Sequence, residues 1–181
     1  LKNVLRCQRG DSVRIFNGRD GEMHARIAEF GHRSARLDVV AMLRPQLVQT
    51  RRIHVLFAPL PKDRLDFVIE KSVELGATDL HPVLTDHADI RKINAERVRA
   101  QTIEAAEQCE RLTVPVLHPL VALDHKLAGW NEDCTVFAAI ERGTAPLIRN
   151  LPRAVYHGRD LAILVGPAGG FKKKKKEWLP H

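Results

Sequence analysis

A run of five apolar residues, Leu161 to Val165, stops at Gly166-Pro167, and Gly169-Gly170 follow after one further residue. A continuous apolar run of this length predicts a central strand of a parallel sheet. Glycines at the carboxyl end of such a strand let the backbone approach a ligand and present N–H groups to it. The spacing is neither Gly-x-Gly-x-x-Gly nor a phosphate-binding loop with Lys-Ser/Thr. The pattern predicts a ligand loop of unspecified kind, and a tight turn that binds nothing explains it equally well.

Four polar residues recur at helical spacing further up the chain. Glu104, Glu107, Gln108 and Arg111 fall at i, i+3, i+4 and i+7 and are predicted to line one helical face. Glu107 and Arg111 are predicted to pair across one turn. A solvated ion-pair face is the usual explanation of such spacing, so only the surroundings can give this set a function.

A third group of charged residues surrounds another predicted helix. Lys62 and Arg64 stand where a strand gives way to the helix start, a position suited to anions, and Lys71 and Glu74 are helical neighbours. Phosphate contacts often come from Lys and Arg placed in this way. A charged solvent face is an equally good interpretation.

Histidine, cysteine and serine spacing predicts neither a metal site nor covalent catalysis. The cysteines are three and widely separated, without Cys-x-x-Cys or Cys/His spacing. No serine lies in a Gly-x-Ser-x-Gly elbow. The histidines lack His-x-x-x-His spacing and are interpreted as isolated and structural; they include His54, His81, His87, His118 and His157.

Two patterns divide the chain near residues 44–51. Before that point apolar residues alternate, with Asn17-Gly18 as a hairpin turn, which predicts a small antiparallel β domain over residues 1–48. After it, over residues 49–181, apolar strands alternate with helices, which predicts a parallel sheet covered by helices. The strands are predicted at Ile53 to Leu60, Asp79 to Leu84, Val114 to Leu117, Thr135 to Ile140 and Leu161 to Val165.

Two helices of the second region have clear boundaries. The first is predicted to be capped by Asp63, to bury Leu65, Ile69 and Val73, and to stop at Gly76. Val68 belongs to the same predicted apolar face. The second is predicted to run from about Asn94 to Cys109, with Val98, Thr102, Ala105 and Ala106 on a narrow apolar face.

Charge and hydropathy narrow the class of protein. Across 181 residues the net charge is +7, which favours polyanionic partners such as RNA or DNA, although five of the positive charges form one run, Lys172 to Lys176. Lys2 and Arg6 add a basic cluster at the N terminus. With no long apolar run and no signal-peptide pattern, we expect a soluble cytoplasmic protein.

Taken in order, several motifs together resemble one family, the bacterial 16S ribosomal RNA uridine-N3 methyltransferases of the SPOUT class. The resemblance covers nearly the whole chain. The motifs are Val4-Leu5-Arg6 with Gly10-Asp11, Phe16-Asn17-Gly18, Pro61-Lys62, Glu70-Lys71-Ser72-Val73-Glu74-Leu75-Gly76, Glu104-Ala105-Ala106-Glu107-Gln108-Cys109-x-Arg111-x-x-x-Pro115 and Gly166-Pro167-x-Gly169-Gly170-Phe171.

The resemblance implies a PUA-like β-barrel that holds RNA, followed by a SPOUT-type parallel sheet with a C-terminal trefoil knot, working as a homodimer with S-adenosylmethionine. It implies that Arg111 orients the target nucleotide or steadies developing negative charge, with Glu107 holding Arg111 in place. The cofactor would contact Ile140, Glu141, Gly166, Pro167, Gly169 and Gly170. RNA would contact Lys2, Arg6, Lys62, Arg64, Lys71, Glu74 and Gln108.

The chain departs from the family pattern at four places. Ala168 stands where the family has Glu, and the run Lys172 to Lys176 replaces a mixed polar segment. The chain ends at His181, before the Leu-Gly-x-Arg-Ile-Leu-Arg-x-Glu-Thr-Ala segment that closes the knot in the family, and it begins about one strand late. We therefore expect both domains to be incomplete in this chain.

Two other functions remain open on the residues. One is a non-catalytic RNA-binding protein that keeps the fold without the cofactor site, which Ala168 and the missing segment favour. The other is a different nucleotide-binding α/β enzyme, which rests on the glycine loop alone.

Overall fold

The computed structural model describes residues 6–32, 34–86, 88–139, 148–155 and 157–166. The chain divides into two compact units. The first comprises Leu1–Val48 and Glu110–Val114, and the second comprises Gln49–Cys109 and Pro115–His181. Among the helices of these residues, none is long and apolar enough to cross a membrane.

The first unit contains a three-stranded antiparallel sheet in the order β1-β2-β3. Its strands are β1 (Ser12–Phe16), β2 (Glu22–Phe30) and β3 (Ala35–Arg44). The predicted turn lies between β1 and β2, where the side chain of Asn17 accepts hydrogen bonds from the backbone N–H groups of Arg19 and Asp20. Gly21 closes this turn at φ +87°, where a Cβ would stand 2.4 Å from the carbonyl oxygen of Arg44.

A short segment distant in sequence, Glu110–Val114, belongs to this first unit. Arg14 forms a 3.2 Å ion pair with Glu110, and the side-chain amide of Gln46 donates a 2.9 Å hydrogen bond to Thr113. The sequence-based division had placed this segment in the second domain. Contacts of this kind join residues far apart along the chain, so local patterns could not predict them.

The second unit is built on a parallel sheet. Its strands are β4 (Ile53–Phe57), β5 (Asp79–Leu84), β6 (Val116–Leu117), β7 (Val121–Ala122), β8 (Cys134–Ala139) and β9 (Asp160–Val165). The order is β6-β5-β4-β9-β8, and β7 pairs with β5. The predicted α/β class with a parallel sheet is confirmed. The strand β7 was not predicted, because two residues show no periodicity.

Within the described part of this unit, three α-helices flank the strands: α1 (Lys62–Glu74), α2 (Ala95–Gln108) and α3 (Leu123–Ala128). In α1, Leu65, Ile69 and Val73 are buried as predicted, and Gly76 follows the helix at φ +96°. The predicted cap at Asp63 is wrong. The helix already begins at Lys62, so Asp63 lies in its first turn, where a carboxylate favours the helix dipole.

The second helix has the predicted start. The side chain of Asn94 accepts a 3.0 Å hydrogen bond from the backbone N–H of Arg97, an N-cap contact that the sequence analysis did not predict. Its buried face is the predicted one: Val98, Thr102, Ala105 and Ala106. The six-residue helix α3 was not predicted, since it is too short for a clear apolar period.

One hydrophobic cluster ties the sheet to α3. Leu56 of β4 and Leu164 of β9 pack with Val83 of β5 and Leu123 of α3, and all four are buried. Fully burying each such side chain stabilises the fold by about 1.5–3 kcal/mol. The alternate residue of β9, Ile163, is partly exposed, so the two faces of this strand have different environments.

Candidate active site

The carboxyl ends of three neighbouring strands meet at one edge of the sheet. Val165, the last residue of β9, pairs with Phe57 of β4 on one side and with Ala139 of β8 on the other. Gly166 therefore follows β9 between the ends of two flanking strands. We call this side the carboxyl-end edge.

The strand order makes this edge a topological switch point. The chain passes from β4 through α1 to β5 on one side, while β8 and β9 lie on the other side of β4. Ligands of open α/β sheets bind in the crevice outside the carboxyl ends of the strands at such a point. The loop that starts at Gly166 thus begins where a ligand site is expected.

Most of the predicted cofactor residues lie outside the described residues. Of the six, only Gly166 is described, and it is partly exposed. Ile140 and Glu141, which follow Ala139 of β8 in the sequence, lie outside the described residues. The others outside the described ranges are Pro167, Gly169 and Gly170.

The charged residues of α1 divide into two kinds. Lys62 and Arg64 are exposed at the start of the helix. Lys71 instead forms ion pairs of 2.8 Å with Glu70 and 2.9 Å with Glu74. These hydrogen bonds to Glu70 and Glu74 raise the pKa of Lys71. Two of the predicted RNA contacts, Lys71 and Glu74, are therefore partners of each other.

The structure brings residues of two sequence motifs together between α1 and α2. Glu74 of α1 lies with Glu104 and Gln108 of α2 in the wall of one open cavity of about 460 Å³. Glu107 is also on α2 and is exposed. The two motifs, which are separated in sequence, therefore share one polar surface.

The predicted position of Arg111 on the same helix as Glu107 is wrong. The helix α2 ends at Gln108, and Glu110 then adopts a positive φ of 53°, which turns the chain out of the helix. Arg111 lies beyond this turn, in the segment of the first unit. The i+7 position therefore does not exist on this helix.

The remaining predicted RNA contacts lie in the first unit. Arg6 is exposed and has a positive φ of 51°. Lys2 lies outside the described residues.

A second polar cluster, which the sequence did not reveal, lies at the opposite, amino-end edge of the sheet. His54 of β4 pairs in register with Asp79, the first residue of β5, and His81 lies two residues further on the same strand. The Nδ1 atom of His54 is 3.0 Å from Nε2 of His81. The Nε2 atom of His118, which follows β6, is 2.7 Å from Oδ1 of Asp79. The three histidines interpreted as isolated are therefore neighbours.

Asp79 is the anion that organises this cluster. It is 0% exposed, and Arg52 contacts both of its carboxylate oxygens. Burial alone would raise the pKa of Asp79, but hydrogen bonds from His118, Thr78 and Arg52 outweigh burial and lower that pKa. Asp79 is thus a buried carboxylate that stays ionised. The spacing of two between Asp79 and His81 was the only local sign of this site.

Comparisons with known proteins agree with the two units. The model of the RNA methyltransferase domain family matches residues 48–179, and that of the RNA methyltransferase PUA domain matches residues 1–40. Among solved structures, a putative methyltransferase of Legionella pneumophila in complex with the bound cofactor SAM is 26% identical. Its TM-score is 0.83, over 97% of this chain and 73% of that one. A probable rRNA-methyltransferase of Porphyromonas gingivalis is 28% identical. Its TM-score is 0.81, over 97% of this chain and 74% of that one.

Two curated relatives carry the same name. Ribosomal RNA small subunit methyltransferase E of Rickettsia conorii is 30% identical over 99% of this chain and 72% of its own length. The protein of that name from Buchnera aphidicola subsp. Schizaphis graminum is 26% identical, over 94% of this chain and 70% of its own length. The resemblance stated from the motifs is confirmed, and the chain belongs to the ribosomal RNA small subunit methyltransferase E family of RNA methyltransferases.

Proposed function

We propose that this protein transfers the methyl group of S-adenosylmethionine to N3 of a uridine in 16S ribosomal RNA. The observation that carries the proposal is the position of Gly166. It directly follows the central strand β9 at the carboxyl-end edge, between the ends of β4 and β8. In α/β sheets this is the place where the backbone receives a ligand.

The residues at this edge fit an S-adenosylmethionine site. Phe57 and Ala58 at the end of β4 are buried and apolar, so the strand end that flanks Gly166 is packed in surroundings that exclude water. Gly166 has no side chain to obstruct approach to the backbone. The remaining cofactor contacts of the proposal are Ile140, Glu141, Pro167, Gly169 and Gly170. A similar structure, that of Legionella pneumophila, contains SAM.

Methylation at N3 requires that the protein remove the N3 proton and align the nitrogen with the methyl group, which the bound cofactor supplies on its sulfonium. Positioning and a weak base do most of this work. The target base must also leave its stack to enter the site. Arg111 is proposed to orient the target nucleotide or to steady negative charge on the uracil ring.

RNA is proposed to bind along the basic residues of both units. Lys62 and Arg64 are exposed at the start of α1, where the N-terminal end of a helix attracts phosphate. Lys2 and Arg6 add positive charge from the first unit, and Gln108 offers an amide on α2. The first unit would act as the PUA-like barrel, and the second would form the knot and the homodimer.

Calorimetry and a transfer assay together test the function. We expect saturable binding of S-adenosylmethionine in preference to ATP and NAD, and transfer of its methyl group to 16S ribosomal RNA or small subunits. Nucleoside mass spectrometry should then identify N3-methyluridine. A folded protein that binds RNA but not S-adenosylmethionine would instead be a non-catalytic RNA-binding protein. Preference for ATP or NAD would indicate a different nucleotide-binding enzyme.

The role of Arg111 has its own test. We expect Arg111→Ala to lower turnover by about 10²-fold or more, as the loss of a charge-stabilising donor does in other enzymes. Arg99→Ala is the matched control, because Arg99 is an exposed arginine of α2 that the proposal does not use. If Arg111→Ala left turnover and RNA affinity at the wild-type values, Arg111 would have no part in the site.

A further inference from the structure

The cluster at the amino-end edge has the spacing of a metal-ligand set. One ligand atom from each of His54, Asp79 and His81 lies within 4.8 Å of the other two. The Nδ1 atom of His54 is 3.0 Å from Nε2 of His81 and 3.6 Å from Oδ2 of Asp79. Two tetrahedral ligands that are each about 2.0–2.1 Å from a zinc ion are roughly 3.4 Å apart. The two measured separations lie on either side of that value.

We propose that His54, His81 and Asp79 bind a zinc ion at the amino-end edge of the sheet. Imidazole nitrogens and carboxylate oxygens are ordinary zinc ligands. Three protein ligands leave the fourth tetrahedral position for water or for a group from a partner molecule. The site is independent of the glycine loop, because it lies at the other ends of the strands.

The ligands have the required protonation states. Burial lowers the pKa of His81 to about 3, and burial likewise lowers the pKa of His54. Both rings are therefore neutral near pH 7 and keep a lone pair for a metal ion. Asp79 is ionised, as described above.

Neighbouring side chains already orient the carboxylate of Asp79 through hydrogen bonds. The Nε atom of Arg52 donates a 3.0 Å hydrogen bond to Oδ2 of Asp79, and His118 holds Oδ1. The hydroxyl of Thr78 donates to Oδ2 at 2.7 Å, but it also lies 3.2 Å from the carbonyl oxygen of Ile53. The hydroxyl of Thr78 can therefore donate to the carbonyl oxygen of Ile53 when a zinc ion binds Oδ2 of Asp79. Outer-shell partners of this kind fix the ligands of metal sites.

The site is enclosed by aromatic rings. The ring of Trp130 packs edge-on against His54 and His81, with centroid distances of 5.3 and 5.6 Å. His81 also stacks on His118 at 3.9 Å and is only 2% exposed. Within the part of the chain that the structure describes, Nδ1 of His81 has no hydrogen-bond partner. The unpartnered Nδ1 is not the proposed ligand atom; that atom is Nε2 of the same ring, which lies 3.0 Å from Nδ1 of His54.

Titration of the chelator-treated protein with ZnCl₂ tests the site directly. We expect one saturable equivalent by calorimetry, and a rise in Tm with zinc because the ion binds the folded state. Substitution by Co²⁺ should give the intense visible absorption of a tetrahedral site with nitrogen and oxygen ligands. If the wild-type protein shows no saturable zinc binding, the cluster is a metal-free hydrogen-bonded network and the proposal is overturned.

Two variants locate the ion. We expect His81→Ala and His54→Gln to weaken zinc binding at least tenfold and to abolish the rise in Tm. His125→Ala is the matched control, since His125 is an exposed histidine of α3 outside the cluster, and it should bind zinc as the wild type does. His54→Gln retains a polar side chain and serves if His81→Ala does not fold. Wild-type zinc affinity in a folded variant of either ligand would overturn the proposal. S-adenosylmethionine affinity is measured on the same samples. A loss of zinc binding with unchanged S-adenosylmethionine affinity then bears on the zinc site and not on the proposed function.

Discussion

The two edges of the parallel sheet are built in different ways. At the carboxyl-end edge the candidate site depends on backbone, a glycine directly after a buried strand, with few side chains involved. At the amino-end edge it depends on side chains from three strand regions that converge on one buried carboxylate, Asp79. A site built from backbone leaves a continuous signal in the sequence. A site built from side chains of neighbouring strands leaves almost none.

The difference extends to energetics. A buried carboxylate loses its hydration, so its partners must remain in place for the fold to be stable. A glycine loop at a strand end carries no such charge. Substitutions at the amino-end edge should therefore first reduce stability, and those at the carboxyl-end edge should first reduce ligand affinity.

The largest effect is expected for Arg52→Ala. It leaves the buried carboxylate of Asp79 without its charged partner, which for buried pairs costs about 3–5 kcal/mol. Because the side chain of Arg52 is 54% exposed, we expect the lower end of that range. Urea denaturation measures the loss, and S-adenosylmethionine affinity at a temperature where the variant is folded should be unchanged. If Arg52→Ala left the free energy of unfolding unchanged, the two edges would not differ in their contribution to stability.

The complementary change is Gly166→Val. A branched side chain at the end of β9 blocks approach to the backbone, so we expect S-adenosylmethionine affinity to fall at least tenfold, about 1.4 kcal/mol. Gly129→Val is the matched control, because a Cβ at Gly129 meets no atom within 4 Å. Calorimetry on both variants measures the effect. Equal affinity in the two would mean that the loop after β9 is a turn without a ligand.

A partly buried ion pair of the same unit, whose carboxylate is less buried than that of Asp79, shows what full burial adds. Arg97 forms a 2.5 Å ion pair with Asp66, and the side chains are 34% and 31% exposed. We expect Arg97→Ala to cost up to about 1 kcal/mol by urea denaturation, well below the cost of Arg52→Ala. A cost equal to that of Arg52→Ala would show that burial of Asp79 is not the reason for its effect.

The same pair has a defined pH dependence. The hydrogen bond from Arg97 lowers the pKa of Asp66 in the folded state. Its stabilisation is therefore complete above the ordinary aspartate pKa of about 3.9 and is lost as the pH falls through the lower folded pKa. The difference in stability between wild type and Arg97→Ala should accordingly disappear in acid. A difference that persisted there would have to come from packing of the arginine stem.

The smallest effects are expected on RNA affinity. Lys62→Ala should lower the RNA affinity a few-fold. It should also reduce the slope of log affinity against log salt concentration by about 1, as the loss of one phosphate contact does. Lys71→Ala should change the RNA affinity and its salt dependence less, because Lys71 is already paired with Glu70 and Glu74. Filter binding at several salt concentrations compares the two variants. A larger effect of Lys71→Ala would place RNA on the acidic surface between α1 and α2.

Sequence patterns were sufficient where the cause is local. The stop at Gly76, the start of α2 near Asn94 and the buried faces of α1 and α2 were all predicted, because each depends on residues within a few positions of one another. Prediction failed where a boundary depends on more distant contacts. The helix α2 ends before Arg111 because the chain turns at Glu110 and joins the first unit. Spacing alone could not show that turn.

The sequence by itself determined the strands other than β7, the helices α1 and α2, the apolar run into Gly166 and, through its motifs, the family. Only the tertiary structure decided the order of the strands, in which β9 lies between β4 and β8 although β4 is far away in the sequence. That order placed Gly166 at a switch point and brought His54, Asp79, His81 and His118 together. The reason is that local conformation depends on neighbouring residues, whereas strand order depends on how all the apolar faces are buried at once.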